Sequence, residues 1–345
     1  MHLALFSYHD HKTKDIKEAW YHLTTAHRFK MATLPTYDID LEQRKVDTLI
    51  QVFNEGFWPL GVGSPSKQPI FIIGFPRSGS TLLERVLDSH SQIAGTGEDS
   101  IFNGMLDEIR NAIIKASMQQ SATAIQDVVQ KYTIAIDSLT LERWQSLQTI
   151  TDSNVDFDGN ASNIDNIDRQ PKRFVDKMLT NYANVGFIHL LYPNALILHV
   201  MRDPMDTIFS AYKHDFPPGK LDYTSDFISL THMYKSYRVL MDHWEKVLPG
   251  RVIHVKYEDM VNNMPRVAQS IIAATDLSWE PDVLEFHKKK QAVNTLSTTQ
   301  VRKAVYKDSI KSWKRYEDYL VPLVKSMGSL VRINFSTSLK GYTKV

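Results

Sequence analysis

Residues Ile70-Phe71-Ile72-Ile73-Gly74-Phe75 form a short apolar run that leads through Pro76-Arg77-Ser78-Gly79-Ser80-Thr81 into Leu82-Leu83-Glu84-Arg85-Val86-Leu87. A run of that kind reads as a buried parallel strand, and the stretch beyond the bend as a helix. Gly74 and Gly79 let the bend wrap, so successive N–H groups point inward at an anion beside a helix N-terminus. The spacing matches the nucleotide P-loop with one departure. Ser80 stands where an ATPase has lysine, and the cation, Arg77, comes three residues earlier. An ATPase lysine neutralises the β- and γ-phosphates while the next hydroxyl holds Mg²⁺. Backbone N–H groups with a single guanidinium fork suit an anion of lower charge, with no metal needed. A glycine-rich turn that binds nothing is the plainer reading, but length, hydroxyls and strand context all disagree with it.

Three later runs resemble the first: Lys172–Val175, Ala195–Met201 and Arg251–Tyr257. Helical stretches between them predict βαβ crossovers, hence a three-layer α/β/α domain with a parallel central sheet. Ahead of it, Ile16, Ala19, Trp20 and Leu23 recur at helical spacing, as do Val46, Leu49, Ile50 and Phe53. Leu34–Asp38 breaks the two, with Asp38 or Asp40 available as an N-cap. The predicted layout is a helical segment over 1–60, an α/β domain over 67–330 and a tail over 331–345. Residues 145–170 are set apart as a polar insertion, because 151–169 hold nine Asp or Asn and only four large apolar residues. Asn154, Asp156, Asp158, Gly159 and Asp165 fall there on calcium-loop spacing. Asn at the first position, Asp at the twelfth and no evident flanking helices leave calcium unassigned.

The second anion signal is the strand Leu196–Met201 ending in Arg202-Asp203-Pro204, with Ser210 eight residues on from Arg202. Arg202 and Ser210 both reach one phosphate if they lie at the carboxyl ends of the strands, where open α/β sheets bind ligands. Taken alone, Arg202–Asp203 reads equally well as an ion pair capping the next helix.

Together these residues resemble the sulfotransferases that use 3′-phosphoadenosine 5′-phosphosulfate (PAPS). The likeness is greatest to tyrosylprotein sulfotransferases and to bacterial enzymes in which tetratricopeptide helices precede the catalytic domain; residues 1–56 fit such helices plus a connector. It runs from about Pro69 to Tyr316. Pro76–Leu82 resembles the loop for the 5′-phosphosulfate, which implies roles for Arg77, Ser78, Gly79, Ser80 and Thr81. Arg202 with Ser210 resembles the pair that holds the 3′-phosphate. Gly97-Glu98-Asp99 resembles the segment carrying the general base and nominates Glu98. Asp176-Lys177 resembles the segment whose lysine meets the transferring sulfuryl group. Tyr257 resembles the adenosine-side tyrosine. Ser297-Thr298-Thr299-Gln300-Val301-Arg302-Lys303 resembles the stretch in which the serine assists the transition state, with Gln300, Val301, Arg302 and Lys303 passing around the nucleotide. Ser309–Trp313 resembles the closing helix. Ser312 departs from the basic residue often found there, and Lys311 is the substitute.

The implied reaction is direct in-line transfer to an acceptor hydroxyl, with Glu98 as base, Lys177, Ser297 and the loop N–H groups stabilising charge, and Arg77 holding the 5′-phosphate. PAP is the product, and no metal is required. A phosphosulfate carries one phosphate and one singly charged sulfuryl group, which agrees with a loop that lacks lysine. Residues 288–315 hold nine Lys or Arg against one acid, Asp308. Arg302 and Lys303 read as ligands and Lys288–Lys290 as a solvated face. Without the resemblance, Gly97-Glu98-Asp99 reads as a helix cap and Asp176–Lys177 as a surface pair. His90 reads as a cap at the end of the loop helix, and His189, His199 and His254 lack a metal-ligand spacing.

The remaining expectations are broader. A net charge of +1 speaks against nucleic acid as a partner, and zero cysteines exclude disulfides and thiolate chemistry. Neither a signal peptide nor a membrane span is legible, so a cytoplasmic protein is expected. The family implies a homodimer. The acceptor is a peptide tyrosine, a glycan or a small molecule, selected by loops such as 101–170 and 213–235. Two rival readings remain: a Mg-ATP-dependent kinase-like phosphotransferase using Asp203 as metal ligand, and a helical-repeat interaction protein with an inactive enzyme domain.

Overall fold

A computed structural model describes residues 1–59, 61–98, 101–152, 171–287 and 309–332. The chain opens with α1 (His2–Tyr8), a π-helical turn at His9–Thr13, α2 (Ile16–Met31) and α3 (Ile39–Val52). Asp15 and Asp38 cap the latter two, accepting from the N–H of Glu18 and of Leu41. The α/β part then runs β1 (Pro69–Gly74), α4 (Ser80–Asp88), β2 (Ile93–Gly95), α5 (Ile101–Met118), α6 (Ala122–Asp152), β3 (Arg173–Asp176), α7 (Val185–Leu191), β4 (Leu196–Met201), α8 (Pro204–Tyr212), α9 (Phe227–Val247), β5 (Ile253–Lys256), α10 (Tyr257–Asn262) and α11 (Met264–Ala274). A 3₁₀ segment at Ser312–Tyr319 and α12 (Val321–Met327) close it.

The five strands pair in parallel in the order β2-β3-β1-β4-β5. Successive residues of β1 feed opposite faces, as the pleat demands. Ile70 and Ile72 join α4, α10 and α11 in one core. Phe71 and Ile73 join α3, α5, α6, α7, α8 and α9 in the other. Helices therefore cover both faces, the expected three-layer α/β/α arrangement. The chain crosses from the β2–β3 side of β1 to the β4–β5 side, so a topological switch point lies at the carboxyl end of β1.

The N-terminal helices share the larger core with the α/β layer. Phe53 is fully buried, its ring 4.7 Å from Phe187 and 5.5 Å from Trp244. A Cβ on Gly186 would come within 2.8 Å of that ring, so a glycine lets α7 approach it.

Two expected boundaries move. α6 continues to Asp152, so 145–152 is helical rather than part of a polar loop. The regions expected to contain selectivity loops hold the α5–α6 hairpin and the first part of α9. The calcium-spaced residues 154–165 lie outside the described residues. Among the described residues, no helix is long and apolar enough to cross a membrane, and no cluster of three or more metal-ligating side chains occurs.

Candidate active site

β1 delivers the bend at the centre of the sheet. Gly74 (φ 152°) and Gly79 (φ 101°) occupy backbone conformations that side chains strain to adopt, and Arg77 adopts one as well at φ 71°. Gly79 is constrained twice, because a Cβ there would lie 2.2 Å from the Tyr257 ring. Gly79 is also the N-cap of α4, and no side chain caps that helix. Leu82 N–H donates to the Gly79 carbonyl at 3.0 Å, which leaves the N–H groups of Ser80 and Thr81 for an anion, with the positive end of the helix dipole behind them. Ser78, Ser80 and Thr81 are buried.

The two predicted anion sites meet at the switch point. Arg77 Nε donates to Ser210 Oγ at 3.3 Å. Arg202 Nη1 donates to the Arg77 carbonyl at 3.0 Å and Nη2 to the Ser309 carbonyl at 2.7 Å. The Arg202 guanidinium lies over the Tyr257 ring, 4.7 Å from its centroid, and the Tyr257 hydroxyl bonds Ser309 Oγ at 2.7 Å. Tyr257 thus sits between the bend and Arg202. The Asp203 carboxylate N-caps α8, accepting from Asp206 N–H at 2.9 Å. Among the described residues, buried Ser78 Oγ, Thr207 Oγ1 and Arg202 Nε have no hydrogen-bond partner. All three residues line one tight crevice behind the bend. Each orphaned group costs about 1–3 kcal/mol.

A third group stands at the ends of β2 and β3. The ladder between them continues past the strands, with Thr96 N–H donating to the Val175 carbonyl and Lys177 N–H to the Gly97 carbonyl, both at 3.0 Å. That pairing carries Glu98 to Lys177, and Lys177 Nζ lies 2.8 Å from Glu98 Oε1. Lys177 is 1% exposed and Asp176 is buried beside it, so these residues are not a surface pair. Sequence reasoning missed Glu84, one turn into α4, whose Oε2 is 3.6 Å from the same ammonium. Burial raises the Glu84 carboxyl above the usual range, while Lys177 opposes that rise.

The closing segment is held by a residue given no role in the sequence. Asp206, fully buried on α8, accepts from the N–H of Lys311 and, at 3.3 Å each, from Ser312 Oγ and Trp313 N–H. Lys311 itself is exposed and has φ 59°. The segment is tied from the other side by Asp10, which accepts from the Tyr316 hydroxyl at 2.8 Å and pairs with Arg315 at 2.9 Å. His90 spans two segments rather than ending its own helix: its Nδ1 accepts from Gln92 N–H, so Nε2 donates to the Ser278 carbonyl at 2.8 Å. Asp99, Ser297, Gln300, Val301, Arg302 and Lys303 lie outside the described residues.

The bend, which lacks a lysine, and Arg, Lys and Glu side chains thus lie at the carboxyl ends of the parallel strands, an arrangement whose chemistry suits an anionic ligand. The family profile of sulfotransferases matches residues 69–281, and the chain belongs to that family. An uncharacterized protein of Aquifex aeolicus is 30% identical over 324 residues, 91% of this chain and 39% of that protein. Protein-tyrosine sulfotransferase A of Caenorhabditis elegans is 24% identical over 253 residues, 71% of this chain and 60% of that protein. The chain therefore spans less than two thirds of either relative. The sulfotransferase domain of the Synechococcus PCC 7002 olefin synthase shares the fold, with a TM-score of 0.50 at 16% identity over 80% of this chain and 97% of that domain.

Proposed function

We propose that this protein transfers a sulfuryl group from PAPS to an acceptor hydroxyl in line, with Glu98 as general base. The observation that carries this reading is the Lys177–Glu98 contact of 2.8 Å at the strand ends next to the uncapped start of α4. In this reading Lys177 is the cation for the transferring group and Glu98 the base for the incoming oxygen, which supports roles one hydrogen bond apart.

In this scheme the first-turn N–H groups of α4 and Arg77 hold the 5′-phosphate, and Arg202 with Ser210 holds the 3′-phosphate. Tyr257 walls the nucleotide against the bend. Glu98 takes the acceptor proton as the acceptor oxygen bonds sulfur and the bond from sulfur to the phosphate oxygen breaks. Lys177 stabilises charge on the sulfuryl oxygens in transit, and the N–H groups at the start of α4 stabilise that on the leaving oxygen. Positioning and electrostatics supply most of the acceleration, as in phosphoryl transfer. Ser297 and residues 300–303 complete the nucleotide site in the family's pattern. Protein tyrosine is the acceptor favoured by the likeness to the Caenorhabditis elegans enzyme.

PAP without metal is expected to raise the melting temperature, whereas ATP with Mg²⁺ is not. The reverse result would support the kinase-like reading. Transfer of labelled sulfate to acidic tyrosine peptides, saccharides and phenols then identifies the acceptor. Glu98→Gln is expected to lower kcat by about 10²–10⁴-fold while leaving PAP binding intact. Unchanged transfer by that variant would remove Glu98 from the mechanism.

A further inference from the structure

Three ionisable side chains converge behind the bend, and the transfer scheme employs only two of them. Glu84 is 8% exposed, on a helix whose residues from Ser80 to Leu87 are all buried. Its carboxylate and that of Glu98 face the same ammonium, Lys177 Nζ, at 3.6 and 2.8 Å. The two carboxylates differ in their freedom. The Glu98 side chain is 53% exposed and can turn into water, whereas that of Glu84 is 11% exposed and has no such exit.

One ammonium between two carboxylates already leaves negative charge in excess, and PAPS brings a further anionic group to that ammonium. Glu98 can leave; Glu84 cannot. A buried carboxylate that loses most of its share of the Lys177 charge is costly to keep ionised, so it binds a proton instead. On the reading of this chain as a PAPS-dependent sulfotransferase, we infer that Glu84 is a positioning residue for the transfer step. It is the fixed carboxylate that aims Lys177 and takes up a proton when the donor's sulfuryl group claims that ammonium, leaving Glu98 free for the acceptor.

Among the described residues, the charged groups that bear on Glu84 are Lys177 from the end of β3, Glu98 from the segment after β2 and Asp88 from α4 itself. β1, the strand behind α4, brings only Pro69–Gly74 and no charge. Burial raises the Glu84 carboxyl even with Lys177 beside it, and Asp88 and Glu98 push the same way, so little added negative field is needed. The proton comes from solvent and returns there when the sulfuryl group departs. The arrangement also orders the reaction: with no donor bound, the base stays paired to Lys177, and arrival of the sulfuryl group releases it.

Calorimetric titration of the full chain with PAPS and with PAP, near pH 7 in buffers of different ionisation enthalpy, counts the protons. PAPS is expected to take up between about half and one proton more than PAP, because PAP lacks the sulfuryl group that claims Lys177. Glu84→Gln should abolish that difference while holding PAP affinity within about twofold, and Glu84→Asp should restore it in part. Equal proton uptake for the two nucleotides in the native protein overturns the assignment, as does an undiminished difference in Glu84→Gln. If Glu84→Gln does not fold, the native comparison decides alone. Failure of the native chain to bind either nucleotide would instead sink the PAPS reading on which the assignment rests.

Discussion

Gly79 shows how much of the site rests on single atoms. Its φ of 101° and the Tyr257 ring 2.2 Å from any added Cβ act against the same methyl group. Gly79→Ala is therefore expected to destabilise the protein by about 1–3 kcal/mol in urea unfolding and to abolish the PAP-induced rise in melting temperature. A stable variant that still responds to PAP would show that the ring is free to retreat. Residues of this kind are legible in sequence, because little besides a tightly wrapped backbone calls for a glycine at each end of a strand-to-helix bend. Glu98 and Lys177 were reached through family likeness, since nothing in Gly97-Glu98-Asp99 or Asp176-Lys177 states that a β2–β3 ladder brings them together. Glu84 and Asp206 were missed because burial defines them. The one signal for Glu84 was an acid set among Leu83, Val86 and Leu87 in a helix flanked by apolar strands, which suggests a helix covered on every side.

At the scale of elements, α2 is fastened to α8 by His27. Its Nε2 bonds the Tyr212 carbonyl at 2.8 Å and its ring stacks on Tyr212 at 4.0 Å. Burial lowers the His27 pKa from 6.5 to about 4, so the folded protein holds this imidazole neutral. The unfolded chain binds the proton first as pH falls. The contribution of His27 is then whole above about pH 6.5 and is lost progressively down to about pH 4, roughly 3 kcal/mol at most. Urea midpoints of His27→Gln should consequently fall less steeply than those of the native protein over that interval, and parallel slopes would show that His27 titrates normally. Strands β1 and β4 are legible within a residue because strands buried on both faces are apolar almost throughout, whereas β3 and β5 are legible within two residues from shorter runs centred on Phe174–Val175 and on Ile253 with Val255. β2 is not, since three residues form no pattern and Ile93–Gly95 is a strand only by pairing with β3. The α5–α6 hairpin reads as loop in the sequence because it carries no motif, and its pairing is tertiary.

For the whole molecule, the informative contact is Phe53 between α7 and α9. The helices before β1 and the sheet layer share one core, so they should unfold together. Phe53→Ala is expected to cost about 3–5 kcal/mol and to shift a single transition, read by tryptophan fluorescence and by circular dichroism alike. Two separated transitions in the native protein would show instead that residues 1–56 form an independent unit.

The tie from Asp10 to Arg315 and Tyr316 has a practical corollary for anyone trimming the gene. A fragment cut to the family match, 69–281, would discard both ends of that tie together with Phe53, baring Phe187 and Trp244 and leaving Asp206 without the peptide it grips. The portion by which kinship is recognised is thus smaller than the portion that can stand up in water. Such a fragment should aggregate on expression, and a well-behaved, PAP-responsive one would show that the flanking segments are ornament.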